Sequence, residues 1–141
     1  MIILDTNVIS EPLKAGAHSS VIAWLDRQNP DTLFITTINV YELSFGVELM
    51  PAGKKRHQTA DTVDQILRAF AGRTLPFDES AATACALLMA RARAAGKAIQ
   101  LADGQIAAIA HLNGFAVATR DVAPFLAAGV TVINPWDTHL Q

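Results

Sequence analysis

Five short apolar segments alternate with longer helical patterns, and this alternation most constrains what the chain can fold into. The predicted strands cover residues 1–4, 32–36, 73–77, 115–118 and 130–133. Most are nearly unbroken runs of apolar or β-branched residues, which is typical of strands buried on both faces. The segments between them are long enough to cross over as helices, so neighbouring strands are expected to run parallel. The sequence therefore predicts an α/β fold, a mostly parallel five-stranded sheet with helices on both faces.

The segments between the predicted strands have recognisable helix ends. Helices are predicted over residues 8–14, 19–28, 54–70 and 101–113. Ser19 or Ser20 is the expected cap of the second of these helices. Asp78 is expected to cap a further long helix that stops at Gly96, and Gly114 to end the helix over 101–113.

One more helix follows the second strand and contains the acid Glu42. Thr37 is its predicted cap, and the turn at 50–53 marks its end. The apolar residues that recur at helical spacing, and that we expect to form its core face, are Ile38, Tyr41, Phe45 and Leu49. Glu42 then lies at the edge of that face, in the second turn of the helix.

Length and composition favour one folded domain over residues 1–141. Of the 141 residues, 51% are apolar and 17% are charged, which excludes a disordered chain. No apolar run approaches the length of a membrane span, and no basic region precedes the first strand, so we expect neither a membrane anchor nor a signal peptide. The single cysteine, Cys85, is expected to be a small core residue. These features predict a cytoplasmic protein.

Four carboxylates occur where strands end or helices begin. Asp5 follows the first strand directly, and Asp121 follows the fourth strand after Thr119. Asp103 falls in the first turn of one predicted helix, and Glu42 near the start of another. Because strand ends and the starts of following helices share one edge of a doubly wound sheet, the four acids are expected to converge there. Asp5 taken alone could equally be a simple helix cap.

Four convergent carboxylates repel one another, and a hard divalent cation relieves that repulsion. Mg²⁺ and Mn²⁺ prefer oxygen ligands and usually take one or two carboxylates together with water. Such a site suits the attack of water on a phosphodiester. Thirteen acidic residues less these four leaves nine, against eleven Lys and Arg. The rest of the chain is thus slightly basic, and a polyanion is not repelled once metal neutralises the site.

Each of the four acids lies in a distinct motif. In chain order they are Ile-Ile-Leu-Asp-Thr-Asn-Val-Ile-Ser-Glu at the start, Ile-Asn-Val-Tyr-Glu-Leu-Ser-Phe-Gly around Glu42, Leu-Ala-Asp-Gly-Gln-Ile-Ala-Ala around Asp103, and Ala-Thr-Arg-Asp-Val-Ala-Pro-Phe at Asp121. Together these four motifs resemble those of PIN-domain ribonucleases, most closely the VapC and FitB type of bacterial toxin. The resemblance continues to the closing Val-Ile-Asn-Pro-Trp and so covers the whole chain. The position of Asp121 is often Asn in this family.

The resemblance implies a PIN-like three-layer α/β/α sandwich and an Mg²⁺- or Mn²⁺-dependent endoribonuclease. It implies a homodimer inhibited by a cognate antitoxin, with operator DNA contacted only through that antitoxin. Asp5 and Asp103 would be direct metal ligands, and Glu42 and Asp121 would complete the acidic site. The residues that would support the site by hydrogen bonds are Thr6 and Thr119.

Two other functions remain open from the residues alone. A phosphohydrolase with Asp5 as nucleophile generally needs an acid two residues later, and that residue is Asn7. A non-catalytic binding module on the same fold would be expected to have lost one of the four acids to an apolar residue, and none is lost. RNA cleavage with and without Mn²⁺ separates these functions.

Several other polar and aromatic residues are less specific candidates for the site. Arg120 could contact RNA or pair with the neighbouring Asp121. The basic run at 54–56 could contact phosphates but is typical of a solvated helix start. The histidines share no metal-ligand spacing and are expected on the surface or in loops; they are His18, His57, His111 and His139. The aromatic residues expected in the core are Trp24, Phe34 and Phe45.

Overall fold

The computed structural model describes residues 1–137, which build one five-stranded sheet. The strands are β1 (Ile2–Leu4), β2 (Leu33–Thr36), β3 (Thr74–Leu75), β4 (Ala116–Ala118) and β5 (Val132–Ile133). Their order across the sheet is β3-β2-β1-β4-β5, and every pair is parallel. The predicted α/β class with a parallel five-stranded sheet is confirmed. The first strand, β1, lies at the centre, with Ile2 opposite Leu33 of β2 and Ala116 of β4.

Seven α-helices connect and follow these strands in the described part of the chain. They are α1 (Thr6–Ser10), α2 (Ser19–Arg27), α3 (Thr37–Glu48), α4 (Lys54–Ala69), α5 (Glu79–Ala94), α6 (Leu101–Asn113) and α7 (Val122–Ala127). Two short 3-10 turns cover Glu11–Leu13 and Pro30–Thr32. No helix within residues 1–137 is both long and apolar enough to span a bilayer.

The central strand is buried on both faces, because its successive side chains enter different core clusters. Ile3 packs in one cluster with Ile106 of α6 and Phe125 of α7. Leu4 packs in the other cluster with Trp24 of α2. This alternation is the period-2 geometry of a strand between two helical layers. It explains why the segment that precedes Asp5 is apolar without interruption.

The predicted core face of α3 is wrong, apart from Ile38, which packs partly buried against the first cluster. The inward residues of this helix are Asn39, Leu43 and Val47. The side chains of Tyr41, Phe45 and Leu49 are 62%, 48% and 69% exposed. Apolar residues surround this helix on almost every side, so their spacing fits two opposite stripes equally well. Because the inward stripe contains the polar residue Asn39, it does not read as an apolar face in the sequence.

Several helix ends differ from prediction by one or two residues. The cap of α2 is His18, whose ring nitrogen accepts a hydrogen bond from Ser20 N, and not Ser19 or Ser20. Thr36 caps α3 in place of Thr37. The first helix begins at Thr6, two residues early, because Asp5 already caps it. The caps predicted at Asp78 and Gly114 are confirmed.

Helix α7 was not predicted. It is only six residues long and has Pro124 as its third residue. Proline lacks an N–H donor but is tolerated in the first helical turn, where no intrahelical acceptor is required. The short helix follows Asp121 and packs Phe125, which is fully buried, against the first core cluster. Helix α7 thus connects β4 and Asp121 to the first core cluster through Phe125.

Candidate acidic active site

Three of the four acids follow three neighbouring strands. Asp5 comes directly after β1, and Asp121 comes three residues after β4. Glu42 lies in the second turn of α3, which begins where β2 ends. Because these strands are parallel neighbours, their carboxyl ends meet at one edge of the sheet. Asp103 reaches the same region from the first turn of α6.

Asp5 is a buried carboxylate that receives three hydrogen bonds. Its Oδ1 accepts from the backbone N–H of Thr6 at 2.8 Å, which makes Asp5 the cap of α1. Its Oδ2 accepts from the hydroxyl of Thr119 at 2.8 Å and from the amide of Asn7 at 3.4 Å. Burial raises the pKa of Asp5, the hydrogen bonds from Thr119 and Thr6 oppose that rise, and the charge of Asp121 adds to it. Asp5 is therefore both a cap and a member of the acidic cluster.

Thr119 connects Asp5 with the loop that carries Asp121. Its hydroxyl oxygen accepts from the backbone N–H of Asp121 at 3.0 Å and from Asn7 Nδ2 at 3.3 Å. The single hydroxyl hydrogen is left for Asp5 Oδ2. Asn7 in turn accepts from the backbone N–H of Arg120 at 3.3 Å. The ends of β1 and β4 are thereby held together around one carboxylate oxygen.

Glu42 is held from the other side of Asp5 by Thr6. The Thr6 hydroxyl donates to Glu42 Oε1 at 2.9 Å, while the Thr6 backbone N–H donates to Asp5. Partial burial raises the pKa of Glu42, the Thr6 hydrogen bond lowers it, and the charge of Asp5 raises it. One threonine therefore fixes two of the four acids.

Asp103 is affected by the charges of all three other acids. Partial burial raises its pKa to about 6, and the charges of Asp5, Asp121 and Glu42 act in the same direction. Each of the other three acids thus lies within electrostatic range of Asp103. None of the ion pairs in the described part of the chain involves any of these four acids.

The donor set suits a hard cation that keeps much of its water. Within residues 1–137, no three His, Cys, Asp or Glu side chains are grouped tightly enough to ligate one ion directly. Mg²⁺ typically binds through one or two carboxylates and retains several waters, so a tighter cage is not required. The oxygen-only donors, together with the unrelieved repulsion on Asp103, fit such an ion. Of the histidines, His18, His57 and His111 are exposed as predicted, and His139 lies outside the described residues.

The helix that carries Asp103 packs very closely against α5. A Cβ atom added at Gly104 would lie 2.6 Å from Met89 Sδ, well inside contact distance. Met89 in turn lies 3.6 Å from the thiol of Cys85, which is buried as predicted. The absent side chain at Gly104 therefore lets α6 approach α5 closely, one residue after Asp103.

Arg120 does not pair with Asp121 in any described ion pair. Its guanidinium carbon lies 5.4 Å from the ring centroid of Trp136, within the range of a cation–π contact. Hydrogen bonds from the His18 backbone N–H and from Lys14 lower the pKa of Glu11, and the charge of Arg120 adds a smaller effect in the same direction. Arg120 is thus an exposed cation on an aromatic ring beside the acidic site.

One residue of the site was not predicted from the sequence. Asn39 is fully buried and donates from Nδ2 to the Thr6 hydroxyl at 2.9 Å. Its signal was present in the spacing from Thr36 to Asn39, since a Thr cap and a polar third helical residue form a capping box. Because Thr37 was predicted to be the cap, the capping box formed by Thr36 and Asn39 was not recognised.

The chain is similar to proteins of one family over almost its entire length. A comparison with protein families matches residues 2–129 to the PIN domain. The VapC ribonuclease Y4jK of Sinorhizobium fredii is 52% identical over 138 residues, covering 97% of this chain and 99% of that protein. The toxin FitB of Neisseria gonorrhoeae is 47% identical, covering 96% of this chain and 99% of FitB. A solved structure of FitAB bound to an IR36 DNA fragment gives a TM-score of 0.94 at 46% identity, covering 97% of this chain and 96% of that one.

Proposed function

Since the chain belongs to the PIN-domain family, in the group that includes the VapC and FitB toxins, we propose that it is a metal-dependent endoribonuclease and the toxin of a toxin–antitoxin pair. The ion is Mg²⁺ or Mn²⁺, and the reaction is hydrolysis of RNA phosphodiester bonds. The observation that carries the proposal is the placement of four carboxylates after parallel neighbouring strands and at helix starts, where the charges of the other three act on Asp103. The whole chain of 141 residues acts as one such domain in the cytoplasm.

Each side chain of the site has a distinct part in this reaction. Asp5 and Asp103 hold the metal ion, and Glu42 and Asp121 complete the acidic site directly or through water. When bound, the ion supplies an activated water and stabilises charge on the phosphate oxygens. Thr6 and Thr119 hold Glu42 and Asp5 by the hydrogen bonds described above. The exposed guanidinium of Arg120 beside the acids suits contact with an RNA phosphate.

Cleavage of RNA by the purified protein tests this proposal. The metal-free protein is incubated with total RNA, then with RNA and Mn²⁺, then with RNA, Mn²⁺ and excess EDTA. We expect fragments only in the second reaction. The control is Asp61→Asn, which removes an exposed acid of α4 and should cut as the parent does. Cleavage that continues in EDTA would contradict metal dependence, and cleavage in none of the reactions would contradict the ribonuclease.

The protein partner proposed for this chain is a small antitoxin. The support is the solved complex FitAB, in which a near relative is present with its partner and DNA. We propose further that operator DNA is contacted only through the antitoxin, and that a basic side chain of the antitoxin neutralises the acidic cleft. Co-expression with the product of the adjacent open reading frame should give a co-purifying complex that no longer cuts RNA.

We also propose that the chain forms a homodimer. The support is an exposed apolar stripe on α3, formed by Tyr41, Phe45 and Leu49, in which the rings of Tyr41 and Phe45 stack with centroids 5.5 Å apart. Contiguous apolar side chains on a surface are typical of an interface between proteins. Analytical ultracentrifugation should give a dimer at micromolar concentration. Phe45→Glu should shift it to monomer, whereas Leu112→Glu, a matched change of an exposed apolar residue on α6, should not.

A further inference from the structure

Asn39 lies beneath the acidic site with all of its polar atoms used. It is fully buried at the start of α3, three residues before Glu42. Its Oδ1 accepts from both the backbone N–H and the hydroxyl of Thr36, each at 2.8 Å. Its Nδ2 donates to the hydroxyl of Thr6 at 2.9 Å. The amide thus connects the end of β2 to the start of α1.

The orientation of the Asn39 amide follows from its neighbours. A backbone N–H can only donate, so the Asn39 atom that faces Thr36 N must be the oxygen. The nitrogen must then face Thr6. This nitrogen fills one lone pair of the Thr6 oxygen, and the single hydroxyl hydrogen of Thr6 is directed at Glu42 Oε1, 2.9 Å away. The chain of donors therefore runs in one direction, from Asn39 through Thr6 to Glu42.

We propose that Asn39 is a positioning residue of the acidic site, which orients the Thr6 hydroxyl as a donor and so holds the Glu42 carboxylate in place for the metal ion and its water. The inference rests on the proposed function, because it concerns the same acids. It adds a residue that touches neither metal nor RNA. The arrangement is a hydrogen-bonded outer shell of the kind that orients metal-site carboxylates in other proteins.

Capping of α3 alone does not account for an amide at this position. The capping box uses only Asn39 Oδ1 and the Asn39 backbone N–H, and the acceptor could equally come from a carboxylate. A carboxylate has no donor for Thr6 and would add a buried negative charge next to Glu42 and Asp5. Only an amide caps the helix with one atom and donates toward the acids with the other.

The test separates these two roles by a double-mutant cycle. The proteins are the parent, Thr6→Val, Asn39→Ala and the combined variant, with Thr36→Val as the matched control. Thr36→Val removes a hydroxyl from the same helix cap but keeps the backbone N–H that orients Asn39. For each protein, Mn²⁺ affinity is measured by calorimetry, stability by thermal melting, and kcat and KM with an RNA substrate.

If Asn39 acts on Glu42 through Thr6, the losses of Mn²⁺ affinity in the two single variants should not add in the combined variant. Asn39→Ala and Thr6→Val should each weaken Mn²⁺ binding and lower kcat by roughly 10-fold, with little change in KM for RNA. The combined variant should lose no more than Thr6→Val alone, although its melting temperature falls further. Thr36→Val should melt lower than the parent and bind Mn²⁺ equally well. Thr6→Ser, which keeps the hydroxyl, should restore binding.

A second measurement needs no variant of Asn39. In the ¹⁵N-labelled parent, titration with Mg²⁺ should shift the Asn39 side-chain amide resonance, and in Thr6→Val the shift should disappear. Losses that add in the combined variant, or an amide resonance that does not respond in the parent, would overturn the inference and leave the proposed function standing. A parent that binds neither ion and cuts no RNA would overturn the proposed function, and the inference with it.

Discussion

The two halves of the acidic site are held by different means. Asp5 and Glu42 accept hydrogen bonds from the hydroxyls of Thr119 and Thr6 at 2.8 and 2.9 Å. Asp103 and Asp121 accept no side-chain hydrogen bond from the described residues, and they take their positions from the starts of α6 and α7. We refer to the first two acids as the bonded pair and to the other two as the open pair.

The difference determines where electrostatic strain accumulates. In the bonded pair, donated hydrogen bonds offset part of the cost of burial. In the open pair, burial and the charges of the other three acids raise the pKa of Asp103 to about 6, and no hydrogen bond opposes that rise. The fold thus prepares one half of the site in advance. It leaves the other half to be neutralised by whatever cation binds, which is a source of binding energy for that cation.

The largest expected effect does not distinguish the two halves. Asp5→Asn and Asp103→Asn should each reduce RNA cleavage by more than about 100-fold, above the loss typical of supporting residues, because each removes a metal-binding charge. Asn caps a helix about as well as Asp, so a role of Asp5 confined to capping predicts almost no loss. Initial cleavage rates at saturating Mn²⁺ measure the effect. Full activity in Asp5→Asn would reduce Asp5 to a cap.

The stability of the metal-free protein should separate the halves. Asp103→Asn removes repulsion at no cost in hydrogen bonds and should raise the melting temperature by about 2 °C, once solvent screening of this partly exposed group is allowed for. Asp5→Asn places an amide nitrogen against donors, from either Thr6 N or Thr119 and Asn7, and should melt at or below the parent. Thermal melts in EDTA test this difference. Equal shifts for both variants would remove the distinction between bonded and open pairs.

The pH dependence of stability should be a smaller effect, which arises from the burial of the acids and from their mutual repulsion. Asp103 has a folded pKa of about 6 against an ordinary value of 3.8, so between these values the folded state binds more protons than the unfolded state. The free energy of unfolding without metal should therefore fall as the pH rises from about 4 to about 6. Asp103→Asn should flatten part of this slope, while the raised pKa values of Asp5 and Glu42 retain the rest. Urea denaturation at pH 4, 5, 6 and 7 gives the curve, and a steeper slope in the variant would contradict the assignment.

Sequence patterns predicted the sheet, and the edge at which the acids lie, because both follow from backbone geometry. Apolar runs bounded by acids locate parallel strands, and the carboxyl ends of such strands meet at one edge. The N-cap of α5 and the C-cap of α6 were also predictable, since Asp78 and Gly114 occupy positions that few other residues suit. The four site acids were placed together for the same reason, although their roles as ligands remain predictions.

The hydrogen-bond network could not be predicted, because it depends on which side of each helix faces inward. The apolar periodicity of α3 predicted that Tyr41, Phe45 and Leu49 face the core, but these residues are exposed. The stripe that faces inward contains the polar residue Asn39. A buried amide has no apolar signature, and its value becomes apparent only once Thr6 and Thr36 stand on either side of it. The contact of Gly104 with Met89 was hidden likewise, since the absence of a side chain has meaning only in view of the neighbour.

The smallest expected effect concerns the close packing that positions the open pair. Gly104→Ala places a Cβ 2.6 Å from Met89 Sδ, so the flexible Met89 side chain must move or α6 must shift away from α5. Better helix propensity, about 1 kcal/mol for Gly to Ala, offsets part of this cost, and we expect a melting temperature within a few degrees of the parent. Because Asp103 depends on the position of its helix, Mn²⁺ affinity should fall by about threefold, less than for any change in the bonded pair.

Adding Met89→Ala to Gly104→Ala makes room for the new methyl group and should return the affinity to that of Met89→Ala alone. Calorimetry on the four proteins of this cycle measures the coupling between the two positions. If Gly104→Ala binds Mn²⁺ as tightly as the parent, then close packing of α6 on α5 does not determine the position of Asp103.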